Sequence, residues 1–94
     1  MGKPNRSNLT IVYTTLEILS AEANLSGICR RNKANHYYAK RLLNILTKCG
    51  YVREVPTSDD TLVYIRTNAG KQFMDAIELY VKIDREEERW WLSY

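Results

Sequence analysis

Five polar side chains recur at helical spacing in the middle of the chain. They carry phenol, ammonium, guanidinium and amide groups, and they are Tyr37, Lys40, Arg41, Asn44 and Lys48. Gaps of three and four residues line side chains up along one side of an α-helix, so these five predict a polar and basic stripe. Long donors and amides on a helix can hydrogen-bond to base edges in the major groove of duplex DNA. Taken alone, such a stripe is more often a solvated helix surface.

Three cations precede the stripe in the sequence, and they favour its interpretation as a DNA-contact surface. Arg30, Arg31 and Lys33 are placed to contact backbone phosphates, and such contacts fix the register of a protein on DNA without reading its sequence. His36 and Tyr37 begin the stripe, where an aromatic ring can stack on sugars or bases. We therefore predict nucleic-acid contact for this whole group.

The charge is distributed unevenly along the 94 residues. Residues 1–71 hold 11 basic and 5 acidic side chains, whereas residues 72–94 hold 3 basic and 6 acidic ones. The net charge of +3 is too small to identify a partner by itself. The distribution of charge places the positive potential in the first three quarters of the chain and predicts a different role for the last quarter.

Several classes of function find no support in the sequence. Cys29 and Cys49 are the only cysteines and His36 is the only histidine, so no cluster of metal ligands is expected, nor any cofactor. The carboxylates of residues 86–88 have no accompanying nucleophile, base or phosphate-binding glycine loop, so we do not expect an enzyme. The absence of an apolar leader favours reduced thiols and a cytoplasmic, nucleoid-associated location, and apolar runs are too short to span a membrane.

The elements that must position the basic residues begin with helices. Residues 1–6 predict a mobile basic arm, and an apolar stripe from Leu9 to Leu19 predicts a first helix ending near residue 20. A short second helix follows, with Ser26 as a possible cap. The third helix spans residues 35–49, with Asn35 as its cap and Gly50 at its end. Its predicted buried face consists of Ala39, Leu42, Leu43 and Leu46.

A β-hairpin follows the third helix. Residues 51–55 and 61–66 are rich in β-branched and aromatic side chains, and residues 56–60 favour a turn. Arg53 and Arg66 lie in the two strands. We expect both arginines to contact DNA more than the tip does, because Asp59 and Asp60 at the tip would be repelled by phosphates.

A long last helix is predicted from about residue 68 to residue 92, with Thr67 as its cap. Phe73, Ala76 and Ile77 are expected in the core of the domain. Later aromatic residues lie too far along the helix for a small core, and exposed apolar patches usually mark an interface. We therefore predict a homodimer through this helix as an antiparallel coiled coil, with parallel pairing as the alternative. The predicted interface residues are Ala76, Tyr80, Ile83, Glu87, Trp90, Trp91 and Tyr94.

The order of these elements is typical of one fold class. Helices followed by a hairpin and a further helix predict an α+β winged helix-turn-helix, whose third helix enters the major groove. The expected organisation is a basic arm (residues 1–6), a winged-helix domain (residues 7–72) and a dimerisation helix (residues 73–94).

Short motifs in this region also resemble the archaeal ArnR-like winged-helix proteins. The leucine-bearing third helix with its Gly50 end, and the hairpin leading into Thr67, Gly70 and Phe73, carry the resemblance over roughly residues 9–80. It implies DNA binding, commonly as a dimer joined by the C-terminal helix, in gene regulation or chromatin organisation. Arg66 departs from the family pattern, which usually has an apolar residue before the threonine. The matching residues are Ala34, Asn35, Leu42, Leu43, Leu46, Cys49, Gly50, Tyr51, Val52, Tyr64, Ile65, Arg66, Thr67, Asn68, Ala69, Gly70 and Phe73.

The sequence leaves two classes of function open. The first is a dimeric protein that binds double-stranded DNA as a transcription regulator or chromatin-associated protein. The second is a winged-helix module for protein–protein interaction without DNA binding, which the fold alone does not exclude. The surface of the third helix separates them, because interaction modules tend to present apolar or acidic side chains there and this helix is basic.

Overall fold

The computed structural model describes the backbone of residues 8–93 and the side chains of residues 8–86, so the predicted basic arm lies outside the described residues. The structure confirms the α+β winged helix, with a hairpin and a long C-terminal helix that packs on the first. In chain order its elements are α1 (Asn8–Ile18), β1 (Ala23–Asn24), α2 (Leu25–Asn32), α3 (His36–Lys48), β2 (Val52–Pro56), β3 (Leu62–Arg66) and α4 (Asn68–Ser93).

The core lies where the first three helices meet the sheet. Leu16 of α1, Leu43 of α3 and Tyr64 of β3 are almost completely buried. Three polar side chains, Thr10, Thr15 and Asn32, are also buried among the described residues. Asn32 Nδ2 at the end of α2 donates to Thr15 Oγ1 of α1 at 2.9 Å. Because a buried polar group is costly without a partner, this hydrogen bond restricts how α2 docks on α1.

Short polar residues begin each helix after the first. Asn24, and not the predicted Ser26, caps α2, since Asn24 Oδ1 accepts from Gly27 N at 2.8 Å. Asn35 caps α3 as predicted, and Gly50 follows that helix with the left-handed φ of 81° that glycine tolerates. Thr67 caps α4 as predicted by accepting from Gly70 N at 3.1 Å.

The sheet is antiparallel and has the order β1-β3-β2. The predicted hairpin supplies two strands. The third, β1, has only two residues, and Ala23 pairs with Tyr64 of β3. This strand was not predicted, because an Ala-Asn dipeptide has no strand pattern of its own.

Helix α4 packs antiparallel on α1 and closes the domain. Thr10 Oγ1 donates to Asp84 Oδ2 at 2.5 Å, and Arg85 Nη2 donates to Thr14 Oγ1 at 3.2 Å. The inward face of α4 carries the buried Met74 and Val81. The prediction that Ala76 belongs to the core is wrong, because Ala76 is exposed. Two residues turn a helix by about 200°, so Ala76 lies on the far side from Met74.

Gly70 allows the start of α4 to touch the hairpin. A β-carbon at this position would lie 2.3 Å from the carbonyl oxygen of Tyr51 and 2.9 Å from Cγ of Arg66. The nearer atom belongs to the backbone, so it cannot move aside without shifting the strand. Close by, the rings of Tyr51 and Phe73 stack with centroids 4.7 Å apart.

We predict that Gly70→Ala lowers the free energy of unfolding by about 1–3 kcal/mol, as overpacking does in cores. The loss occurs although alanine is the better helix former by about 1 kcal/mol. Urea denaturation monitored by circular dichroism measures it. The matched control is Gln72→Ala on the exposed side of the same turn, which should change stability by less than about 0.5 kcal/mol. Equal stability of Gly70→Ala and the natural protein would contradict the close contact.

Candidate nucleic-acid interface

The outer face of α3 carries the predicted stripe. Ala39, Leu43 and Leu46 are buried as predicted, and Leu42 is partly buried. The side opposite this buried face holds four exposed residues at spacings of four, three and four: Tyr37, Arg41, Asn44 and Lys48. Tyr37 is 76% exposed, so packing against the domain does not explain its large ring.

His36 and Lys40 lie on the flank of α3. Lys40 Nζ donates to the hydroxyl of Tyr64 at 3.2 Å and lies 5.9 Å from the centre of that ring. This contact was not predicted, because the two residues are 24 positions apart on different elements. An open groove of about 540 Å³ runs along this side, lined by Leu25, His36, Tyr37, Lys40, Arg41 and Asn44.

The cations of α2 extend the positive surface. Arg30 and Arg31 are exposed in its last turn, and Lys33 is exposed just after it. Lys33 has a left-handed backbone with φ of 55°, and its N–H donates to the carbonyl of Cys29. Residues 25–49, which span α2 and α3, contain six Lys and Arg residues and no Asp or Glu. This segment therefore presents positive charge without a compensating carboxylate of its own.

The hairpin places its two arginines on opposite faces of the sheet. Arg53 pairs with Ile65 and is exposed, whereas Arg66 pairs with Val52, which is buried. Directly opposed residues share a face of an antiparallel sheet, so Arg66 faces inward. Its guanidinium Nη1 donates to the carbonyl of Leu16 at 3.4 Å and contacts Met74 Sδ at 3.0 Å. Arg66 is therefore engaged in contacts inside the domain and its DNA contact stays a prediction, whereas Arg53 lies with the exposed cations.

The predicted dimer face of α4 is exposed in part of its length. Leu79, Tyr80 and Ile83 are 70%, 51% and 50% exposed. Leu79 was absent from the prediction because a strict alternation of three and four residues passes over it. Ala76, another predicted interface residue, is exposed as well, and the remaining four, Glu87, Trp90, Trp91 and Tyr94, lie outside the described side chains.

The described part of the chain gives little support for a metal site, a disulfide or a membrane-spanning helix. No group of three metal-ligating side chains occurs among residues 8–86. Both cysteines are free thiols, Cys29 buried and Cys49 exposed. Across the same described elements, none of the helices combines the length and the apolar character needed to cross a bilayer.

Comparison with known proteins gives matches only at the level of structure. No family model and no curated protein sequence matches this chain. Among solved structures, it superposes on Sso10a-2, a DNA-binding protein from Sulfolobus solfataricus, with a TM-score of 0.78 and 22% identity over 86% of this chain and 84% of that one.

Two transcriptional regulators are also similar. A MarR-family regulator from Silicibacter pomeroyi gives a TM-score of 0.72 at 20% identity, over 83% of this chain and 55% of its own. BldR from Sulfolobus solfataricus gives 0.70 at 18% identity, over 82% and 58%. This chain therefore spans just over half the length of these regulators. At such identities the comparisons establish a shared winged-helix fold, and the narrower ArnR-like resemblance stays a prediction.

The left-handed backbone at Lys33 gives a local test. We predict that Lys33→Gly leaves the free energy of unfolding unchanged within about 0.5 kcal/mol, because relief of the left-handed strain offsets the extra chain entropy of glycine. Lys33→Val should lose about 1–3 kcal/mol, because a β-branched residue is strained at positive φ. Urea denaturation of both variants checks this. A valine variant as stable as the natural protein would contradict the left-handed conformation.

Proposed function

We propose that this protein binds double-stranded DNA, with the outer face of α3 in the major groove. The observation that carries the proposal is the exposure of Tyr37, Arg41, Asn44 and Lys48 along one side of α3, in a segment with no carboxylates. The fold supports it, since one similar structure is a DNA-binding protein and two others are transcriptional regulators. A basic helix in this position of a winged helix-turn-helix has the length and the donors that major-groove contact needs.

The exposed polar residues of this surface divide into two roles. Arg41 and Asn44 lie near the middle of the outer face and reach base edges, guanidinium and amide being the groups that pair with guanine and adenine. Arg30, Arg31 and Lys33 lie beside this face and contact phosphates, together with Arg53 on the outer face of the hairpin. His36, Tyr37 and Lys48 complete the contact surface at the two ends of α3.

Fluorescence anisotropy with labelled duplexes at several salt concentrations tests this division. We expect affinity to fall steeply with salt, with each phosphate contact contributing about −0.9 to the slope of log K against log salt. Arg30→Ala should reduce that slope by about 0.9 in magnitude and weaken all duplexes alike. Arg41→Ala should lose about 1–3 kcal/mol, mainly on a duplex selected for tight binding. Lys71→Ala, at the exposed start of α4, controls for the loss of one positive charge outside the proposed contact surface.

The possible outcomes separate the remaining alternatives. Affinity that does not respond to salt would contradict the proposal and favour the protein-interaction module. Equal losses on selected and random duplexes with Arg41→Ala would support an architectural chromatin-associated protein. Losses restricted to the selected duplex would support a site-specific transcription regulator.

We further propose that α4 pairs with the α4 of a second copy in antiparallel orientation. Leu79, Tyr80 and Ile83 form an apolar strip outside the contact of α4 with α1, and water contact with such a strip is unfavourable. A two-fold contact would cover the strip with its own copy. The pair would then carry two α3 helices and engage two half-sites or two DNA segments.

We predict that Leu79→Glu combined with Ile83→Glu gives a folded monomer with weaker DNA binding, by on the order of 10- to 100-fold through lost bivalency. Both side chains are exposed in one protomer, so the domain itself should keep its stability. Sedimentation equilibrium at micromolar concentration measures the change. Lys82→Glu, on the same helix but off the strip, is the control and should stay dimeric. A monomeric natural protein under these conditions would refute the pairing.

A further inference from the structure

Lys40 differs from the other cations of α3 in having an intramolecular partner. Its ammonium donates to the hydroxyl of Tyr64 at 3.2 Å. Within the described part of the chain, Arg41 and Lys48 make no side-chain hydrogen bond or ion pair, so their charges face solvent. Lys40 is an exposed residue of the basic stripe, and its ammonium also makes a part-buried contact within the domain.

Tyr64 is held rigidly in the sheet, so it can fix the position of the Lys40 ammonium. It lies on the central strand of the sheet, where it pairs with Ala23 of β1 on one side and Glu54 of β2 on the other. Only 1% of its surface is exposed, so its ring has little freedom to move. The Lys40 ammonium is near the outer limit of about 6 Å for a cation over a ring, so the hydroxyl makes the main contact.

We propose that Lys40 is a positioning residue that links α3 to the sheet, and that it does not itself contact DNA. The link joins α3 to β3, which is the central strand of the sheet and the second strand of the hairpin. The link therefore fixes the angle between the outer face of α3 and the hairpin that carries Arg53. Both surfaces must contact the same duplex. This inference rests on the proposed DNA binding and assigns to Lys40 a role different from that of Arg41.

Four proteins test the link: the natural chain, Lys40→Met, Tyr64→Phe and the double variant. Methionine keeps an unbranched stem without the ammonium, and phenylalanine removes only the hydroxyl. If Lys40 acts through Tyr64, each single variant weakens duplex binding by about threefold to tenfold, the loss that corresponds to one hydrogen bond. The double variant then binds no more weakly than either single variant, and the salt slope is the same for all four.

A salt slope that falls by about 0.9 in magnitude with Lys40→Met, but not with Tyr64→Phe, would show a direct phosphate contact and overturn the proposal. Lys71→Met controls for the loss of one positive charge. Urea denaturation without DNA gives a second measure: Lys40→Met should lower the unfolding midpoint in the natural background and leave it unchanged beside Tyr64→Phe. Additive shifts would overturn the link.

The two failures can be distinguished. If the natural chain binds no duplex, the proposed function is wrong and so is the DNA-related role of Lys40. The link between α3 and the sheet is then tested by the denaturation series alone. If the natural chain binds duplex but the two single variants lose affinity independently, only the positioning role of Lys40 is overturned.

Discussion

The burial of one face of α3 determines what the rest of the molecule can present. Leu43 and Leu46 are removed from water together with Leu16 and Tyr64, and apolar burial of this kind is the main favourable term in folding. Once that face is fixed against the core, helical geometry leaves the opposite side of α3 in solvent. Arg41 and the other polar residues there gain no packing from their neighbours. Their side chains are therefore free to serve an outside partner.

The apolar residues of helix α4 lie on two opposite faces, of which one packs on α1 and the other is exposed in the protomer. Met74 and Val81 face α1, where polar contacts such as Thr10 with Asp84 add directional restraint to the packing. Leu79 and Ile83 lie on the second, exposed face. The predicted alternation of three and four residues passes from the half-buried Phe73 directly to the exposed Ala76, so spacing alone does not show where the buried face ends. The phase of a helix with two apolar faces depends on tertiary contacts that local spacing does not contain.

Two of the three helix caps and the end of α3 have a local cause and were predicted from the sequence, whereas Asn24, the cap of α2, was missed in favour of Ser26. Asn35 and Thr67 cap helices through bonds to residues three positions away, and Gly50 ends α3 through its own backbone freedom. Features that depend on distant partners were not predictable. Arg66 faces inward because its cross-strand neighbour is the buried Val52. Lys40 turns to a tyrosine that the hairpin brings back beside α3, and no spacing in the sequence records that return.

Contact between duplex DNA and the outer face of α3 can be tested by an NMR titration of the ¹⁵N-labelled protein with a short duplex. We expect the largest amide shift changes from Tyr37 to Lys48 and at Arg30 and Arg31, with the amides around Leu79 unmoved. Shift changes confined to the exposed strip of α4 or to the acidic hairpin tip, with α3 unaffected, would show that α3 is not the DNA-binding surface.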